Sequence, residues 1–534
     1  MGAVPPRQAP RHFSKRCMRA LMSRLAVLWR LALGQGRSLL TLAEREPADF
    51  PFVQSDLAQL HRLRSDPAAA SLDDTTWKDL MLGAYHAELS KEVSIFGQQA
   101  LYLRLRAGAG DASMAAVETM MRDQPALAQL HVTCKSLRHS SKEIATLLYE
   151  DVAPATPWWA GSTWLLTLLL AASVLGAAWS PLSWIVTGVI LYILITTQMA
   201  HSDRMEAWQA SMHTLRLLLR VTTLLGGPDA ARASKLNRSI SAPPSNAIPG
   251  MREYMDWFML ANVSHYYKSM GLVRDNLAFA RQCFERVANL EADVALARHL
   301  LRVPSFCLAS VSSGLINLRD TYHPLLDKAQ PLTIQLTGKG AFLSGQNGIG
   351  KSTFLRTVGL NLVAARAFGF CYASHASVPA VPVYASMQSE DSLMGGESLY
   401  MAELRRAKEL LASANGPHPG VCIIDEIFRG TNHMESISAA ASVLDVLAAR
   451  GTVIVSSHNL VLAPLLAHWL EPLCVAKGAD GLLTRSPGIL AHTNGIALLS
   501  SQGFGGEVEA NAARVFGWLS DYLADPVECS GVLA

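Results

Sequence analysis

The chain is poor in charge and has no paired cysteines. Asp, Glu, Lys and Arg make up 17 % of its 534 residues, and the net charge is only +3. Whole-chain charge therefore points to no class of partner. Eight cysteines are scattered singly, with no C-x-x-C pair. That excludes a cysteine zinc site and a disulfide framework, and it fits a reducing compartment. No internal repeat is present. Two further absences are local. From Met1 to Ala43 there is no acidic residue, against eight basic ones: Arg7, Arg11, Lys15, Arg16, Arg19, Arg24, Arg30 and Arg37. Between Asp151 and Asp203 there is no Asp, Glu, Lys or Arg at all.

The charge-free stretch is long enough to meet lipid. A hydrocarbon core of ~30 Å takes ~20 apolar helical residues. Here there are two such lengths, split by Ser180-Pro181-Leu182-Ser183. They predict a transmembrane helical hairpin over 156–200, with arms at Trp158–Trp179 and Leu182–Ala200. Trp158, Trp159, Trp179 and Trp184 stand where interfacial aromatic belts lie. Lys135, Arg138 and Lys142 precede the hairpin, Arg204, Arg216 and Arg220 follow it, and the turn is uncharged. The positive-inside rule then gives a two-pass protein of the inner (cytoplasmic) membrane with both large flanks cytoplasmic. The bland alternative is a buried hairpin in a soluble helical domain. The basic segment 1–48, with Leu and Trp between its arginines, reads as an amphipathic helix on anionic lipid through 1–43, as a solvated basic face, or as a segment on DNA backbone. Its arginines interrupt any apolar core a secretory signal would need.

Apolar spacing predicts helices over 49–155 and again over 201–325, the latter a core or lever-like region broken by a loop rich in Gly, Pro, Ser and Asn. Past Pro331 short β-branched runs ("TIQL", "GAFLSG", "GVCIIDE", "GTVIVSS") alternate with helical stretches. That alternation predicts an α/β domain with a mainly parallel sheet over 326–522, followed by a tail at 523–534.

The chemistry sits in this last part. "GQNGIGKST" (Gly345, Gln346, Asn347, Gly348, Ile349, Gly350, Lys351, Ser352, Thr353) follows a strand and opens a helix, the context of a phosphate loop. Its glycines let backbone amides face phosphate oxygens, Lys351 supplies a cation, and the Ser352 hydroxyl suits Mg²⁺. The expected cofactors are ATP and Mg²⁺. "VCIIDE" ends a strand in two carboxylates. Asp425 suits Mg²⁺, and Glu426 suits polarising the attacking water as the catalytic base. His458 follows the next strand, where it can sense the terminal phosphate.

These stretches resemble the ABC-type branch of phosphate-loop ATPases, and within it the MutS family. "SGQNGIGKSTFLRTVGLN", "IIDEIFRGTN", "VSSHNL", "GESLYMAELRRAKELLASA", "HTNGIALLSSQGFGGEVEANAARV" and, upstream, "TYHPLL" are similar to family segments in the same order. The resemblance covers roughly residues 320–520. It implies an ATP hydrolase working as a homodimer through its ATPase domains, with Gly396 and Ser398 of one subunit completing the other's nucleotide site. It also implies DNA as a partner. The chain departs from the repair enzymes in several ways. No Phe is followed two positions later by Glu, the element that wedges at a mismatch. The part before the ATPase is too short for the repair enzymes' full set of domains, and Phe428 stands where they usually have Gly. Membrane-anchored relatives of MutS are the closer resemblance. Three readings follow: a MutS-like ATPase that clamps DNA at the membrane, a genuine mismatch-binding repair protein, and a membrane ATPase that remodels a protein partner without nucleic acid.

Overall fold

The computed structural model describes residues 50–65, 71–108, 112–150, 156–241, 251–387, 399–416, 420–477, 483–490 and 505–522, with a few single residues between 495 and 502. The chain divides into Met1–Asp49, which lies outside these residues, and Phe50–Ala534, to which everything below refers. The basic N-terminal segment, Gly396, Ser398 and the tail 523–534 are therefore outside the described residues.

Helices come first. Ile95–Ala107 is capped from a distance: Glu291, on the helix Leu277–Leu300, accepts from the backbone amides of Ser94 at 2.9 Å and Gly97 at 3.1 Å. Those amides have no partner inside their own helix, so a carboxylate from another element satisfies them. Arg104 and Asp293 add a buried ion pair at 2.6 Å between the same two helices.

The charge-free stretch does form two antiparallel helices, but of unequal length. The first, Trp164–Gly176, has 13 residues, because the chain on either side of it forms turns. The second, Ser183–Leu224, has 42 residues and continues well past the expected end at Ala200. Of the two, only the second is long and apolar enough to cross a membrane. Ser173 and Thr187 share a hydroxyl–hydroxyl hydrogen bond of 2.9 Å that fixes their register. Leu168, Leu169, Leu175, Ile185, Val186, Val189 and Tyr192 are all exposed. Farther along the long helix, Met212, Leu215, Leu218, Leu219 and Val221 are buried in the main core.

Eleven strands are described, forming two sheets. Taken in chain order they are β1 (Cys307–Val311), β2 (Leu315–Thr321), β3 (Leu332–Thr337), β4 (Gly340–Gly345), β5 (Phe370–Cys371), β6 (His375–Val378), β7 (Val383–Ser386), β8 (Val421–Asp425), β9 (Thr452–Ser456), β10 (Leu470–Lys477) and β11 (Leu483–Pro487). Six form one sheet in the order β11-β10-β4-β9-β8-β7, parallel from β10 to β7 and antiparallel only at β11. The central strands β4 and β8 are buried throughout, as continuous apolar runs of a parallel sheet should be. The other five form a mixed sheet in the order β3-β2-β6-β1-β5. Its first two strands precede residue 326, inside the stretch whose spacing predicts helix, so the sheet part of the chain starts at Cys307 rather than 326.

One apolar core runs from Leu60 and Trp77 through Phe284 to Leu343, Phe354 and Ile454, so the helical and sheet parts share it. The join is also polar. The short helix Asp74–Asp79 lies along β7, the edge of the parallel sheet. Thr76 Oγ1 accepts from the Ala385 amide at 2.9 Å, and Asp79 Oδ2 accepts from the Met387 amide at 2.7 Å. Arg406, on the helix Leu399–Ala414, pairs with Asp73 at 3.2 Å, and Arg356 donates to the Asp79 carbonyl at 3.0 Å. An edge that would otherwise present bare amides is thus covered.

Candidate functional site

The site lies at the carboxyl ends of β4, β8 and β9, where ligands bind in open parallel sheets. The strand β4 ends at Gly345, and the helix Lys351–Phe368 starts six residues on. Gly345 admits no side chain: a Cβ would meet the Val475 carbonyl at 2.6 Å. Gly348 (φ +74°) and Gly350 (φ +103°) take left-handed conformations that favour glycine. The loop so bent turns its exposed face, Gln346 to Gly348, outward. The first amides of the helix have no intrahelical partner and point into the opening.

Lys351 is buried, and its ammonium donates to the carbonyls of Gly345 at 2.8 Å and Gln346 at 3.2 Å. Burial pushes its pKa down, and the carboxylates of Glu426 and Asp425 pull it back up.

Across the cleft, β8 delivers Asp425 and Glu426. Asp425 is 2 % exposed. One of its oxygens accepts from Ser456 Oγ at 2.9 Å, while the other, Oδ2, is buried and has no hydrogen-bond partner among the described residues. An orphaned buried carboxylate oxygen is costly unless something at the site completes it. Together with the Ser352 hydroxyl, it is the donor set a hard divalent cation takes, so these residues fit Mg²⁺. Glu426 follows with its amide bonded to the Ser456 carbonyl at 2.9 Å. Its φ is +63°, a conformation few side chains adopt, which swings its carboxyl away from the strand line. Burial, and next the neighbouring Asp425 charge, push its pKa up to about 7. His458 Nε2 is 3.5 Å from Glu426 Oε1. Partial burial and the Lys351 charge hold its pKa below the usual imidazole range, so the ring is neutral at pH 7.

Asn347, Gly348, Ile349, Gly350, Lys351, Ser352, Thr353, Asp425, Glu426 and His458 line one open cleft of about 350 Å³. The structure brings these ten together from three strand ends. Gly396 and Ser398 lie outside the described residues. The reading of motifs passes over Ser456, which orients Asp425; the serine doublet in "VSSH", just before the histidine, was the available signal. Phe428, the departure from the family pattern, has φ +56° and a fully buried ring 6.0 Å from Tyr400. This left-handed backbone is one that glycine adopts freely and a bulky side chain rarely does.

The fold and site define a mixed α/β domain of the MutS kind behind a helical N-terminal region. Residues 341–472 match the family model described as MutS domain V. The chain is 27 % identical to the DNA mismatch repair protein MutS of Thermus aquaticus over 246 residues, 43 % of this chain and 29 % of that protein. It is 25 % identical to the protein of the same name from Natronomonas pharaonis, over 40 % of this chain and 27 % of that one. It is 30 % identical to Endonuclease MutS2 of Halothermothrix orenii, over 33 % of this chain and 22 % of that one. By this match the chain carries a MutS domain V at residues 341–472, and it spans less than a third of the length of these relatives.

Proposed function

We propose that this chain is a phosphate-loop ATPase of the ABC type that binds MgATP in the cleft between Lys351 and Glu426 and couples its hydrolysis to clamping DNA at a membrane. The carrying observation is the convergence, in one cleft, of a glycine-bent loop, a buried lysine, an orphaned carboxylate oxygen on Asp425 and a carboxyl on Glu426 whose pKa is about 7. Bound MgATP supplies the reactive phosphoanhydride and a metal-held charge. The chain does the rest. Loop amides and Lys351 hold the phosphates, Ser352 and Asp425 hold the cation, and Glu426 takes a proton from water. The neutral ring of His458 is an acceptor or donor for the terminal phosphate, according to its tautomer.

Two copies of the chain face each other through these domains, with Gly396 and Ser398 of one subunit completing the other's site. The family supports dimer and DNA alike. The apolar, exposed hairpin supports the membrane, and with it a two-flank cytoplasmic arrangement. The basic segment 1–43 adds an anionic-lipid or DNA-backbone contact. Mismatch specificity is the weaker reading, because no Phe-x-Glu element occurs in the chain.

The test uses the full chain purified in detergent. Lys351→Ala should weaken binding of a fluorescent ATP analogue by roughly tenfold or more. Glu426→Gln should keep that binding, lose hydrolysis and accumulate as an ATP-bound dimer in light scattering. Normal turnover by Glu426→Gln would remove Glu426 from the role of base. The Glu426→Gln dimer is then offered perfect, mismatched and branched duplexes at two salt concentrations. Salt-sensitive binding to one of them supports the clamp and names its target. Failure to bind any of them at low salt turns the reading to a membrane ATPase that acts on a protein partner.

A further inference from the structure

Past the hairpin the charges run to one sign. Residues 207–228 and 230–250 carry Arg216, Arg220, Arg232, Lys235 and Arg238 and no acid. Folding gathers several of them. The long helix Ser183–Leu224 packs against the helices Ala230–Ile240 and Ala261–Asp275 and the short helix Lys135–His139. Arg216 Nε donates to Asn237 Oδ1 at 3.4 Å, across the first of these contacts. His213, one turn before Arg216, is hydrogen-bonded to the His139 backbone, and His265 to the Ile240 backbone. Burial, and next the Arg216 charge, lowers the pKa of His213. Burial, and next the charges of Lys268 and Arg216, lowers that of His265. No carboxylate among the described residues opposes these cations at either ring. Arg216 is thus the centre of a basic cluster drawn from four helices.

The cluster opens to solvent. Arg220, one turn on from Arg216, is exposed, and so is Lys268. Lys235 and Arg238 are exposed on the side of their helix away from its buried Ala233, Leu236 and Ile240. No described ion pair includes Arg216, Arg220, Lys235, Arg238 or Lys268. Two acids close in sequence are already taken, Asp229 by Arg286 at 3.5 Å and Asp275 by Arg274 at 3.9 Å. A face that only had to stay wet would intersperse both signs. Gathering one sign costs repulsion, which a polyanion relieves.

Two polyanions compete for this face, lipid headgroups and DNA. On the membrane reading proposed above, the charge-free stretch gives way to water just past Ala200. Arg216 lies sixteen residues farther along the same unbroken helix, about 24 Å along its axis. Headgroups reach only about 5–8 Å beyond the hydrocarbon. A tilt of ~40° still leaves Arg216 about 18 Å from it. DNA meets no such limit, and Arg, Lys and Asn side chains are the groups that contact its phosphates.

We infer that the face around Arg216, with Lys235, Arg238 and Lys268, docks the phosphate backbone of duplex DNA. This rests on the DNA reading above and gives it a surface, built by helices that contribute nothing to the lining of the nucleotide cleft. Such contacts grip a duplex without reading its sequence, as a clamp requires.

The full chain in non-ionic detergent, with a non-hydrolysable ATP analogue, tests this. Anisotropy of labelled perfect and mismatched duplexes is followed from roughly 50 to 200 mM salt. An Arg216→Gln/Lys235→Gln/Lys268→Gln variant is compared with Arg216→Lys/Lys235→Arg/Lys268→Arg, which keeps the charge. The Gln variant should bind both duplexes at least about tenfold more weakly, and its plot of log affinity against log salt should be shallower by about 2–3. The charge-keeping variant should bind as the unmodified chain does. Weak binding by that variant as well would put packing in place of charge and overturn the proposal. An unchanged slope in the Gln variant would also overturn it, while leaving the DNA reading in place. If, in addition, phosphatidylglycerol in nanodiscs raises the melting temperature of the unmodified chain and not of the Gln variant, the face belongs to lipid. No binding of either duplex by the unmodified chain at low salt would overturn the DNA reading and this surface together.

Discussion

Among single residues, Glu426, the proposed base, carries the sharpest expectation. Glu426 is held near pH 7 because its carboxylate loses water on burial and sits beside Asp425. Only the ionised form accepts a proton, so turnover should climb as pH rises through about 7. Between pH 6 and pH 8 the ionised fraction grows about tenfold for a group of that pKa. A pH–rate profile of the full chain at saturating MgATP checks this. A flat profile over that range would mean that another step, or another group, controls the rate. The stability sign is opposite. A carboxyl whose folded pKa exceeds its unfolded value binds more protons folded, so its contribution is present below pH ~4.5 and fades as pH rises through about 7. Replacing Glu426 with Gln should flatten that part of a plot of melting temperature against pH. That these site residues share one cleft was legible because the proposed phosphate chemistry needs them at fixed spacing after a strand. The left-handed backbones at Glu426 and Phe428 were not, since nothing in "DEIFRG" announces a positive φ at a bulky aromatic.

At the scale of elements, the helix Asp74–Asp79 deserves a test of its own. It has only six residues, yet it supplies acceptors for two amides at the end of β7 and for Arg406. Thr76→Val keeps the shape and leaves the buried Ala385 amide without its acceptor. An unsatisfied buried donor costs about 1–3 kcal/mol. The expected outcome is a melting temperature lower by a few degrees, while Thr76→Ser restores it. An unchanged melting temperature for Thr76→Val would mean that water replaces the hydroxyl and the edge contact is incidental. This docking was invisible beforehand, because Thr76 and Ala385 are 309 positions apart and no local period joins them. The parallel strands were the reverse case. β8 and β9 are apolar runs rich in Val and Ile, β4 is the apolar run GAFLSG, and buried strands need little else. β1 and β2, at "CLASV" and "LINLRDT", have exposed edges and mixed polarity, so the helical patterns before them masked their start.

For the whole molecule, what matters is that the helix from Ser183 to Leu224 has no break. Its first turns are lipid-like surface, and its last turns lie in the core shared with the sheet. At 1.5 Å per residue it is a rod of about 63 Å. On the membrane reading proposed above, a chain fastened this way is confined to a plane. Its encounters with a second copy then depend on how many copies share an area of membrane, not on how many share a volume of cytoplasm. Tethering of this kind raises effective concentration without adding a contact. Turnover per chain should therefore rise when a fixed amount of protein is reconstituted into less lipid, and it should level off once every copy has a partner. A turnover that is indifferent to the protein-to-lipid ratio would mean the subunits are already paired or act singly. Crowding in two dimensions, or its relief as a membrane grows, would then serve as the dial on the proposed ATPase.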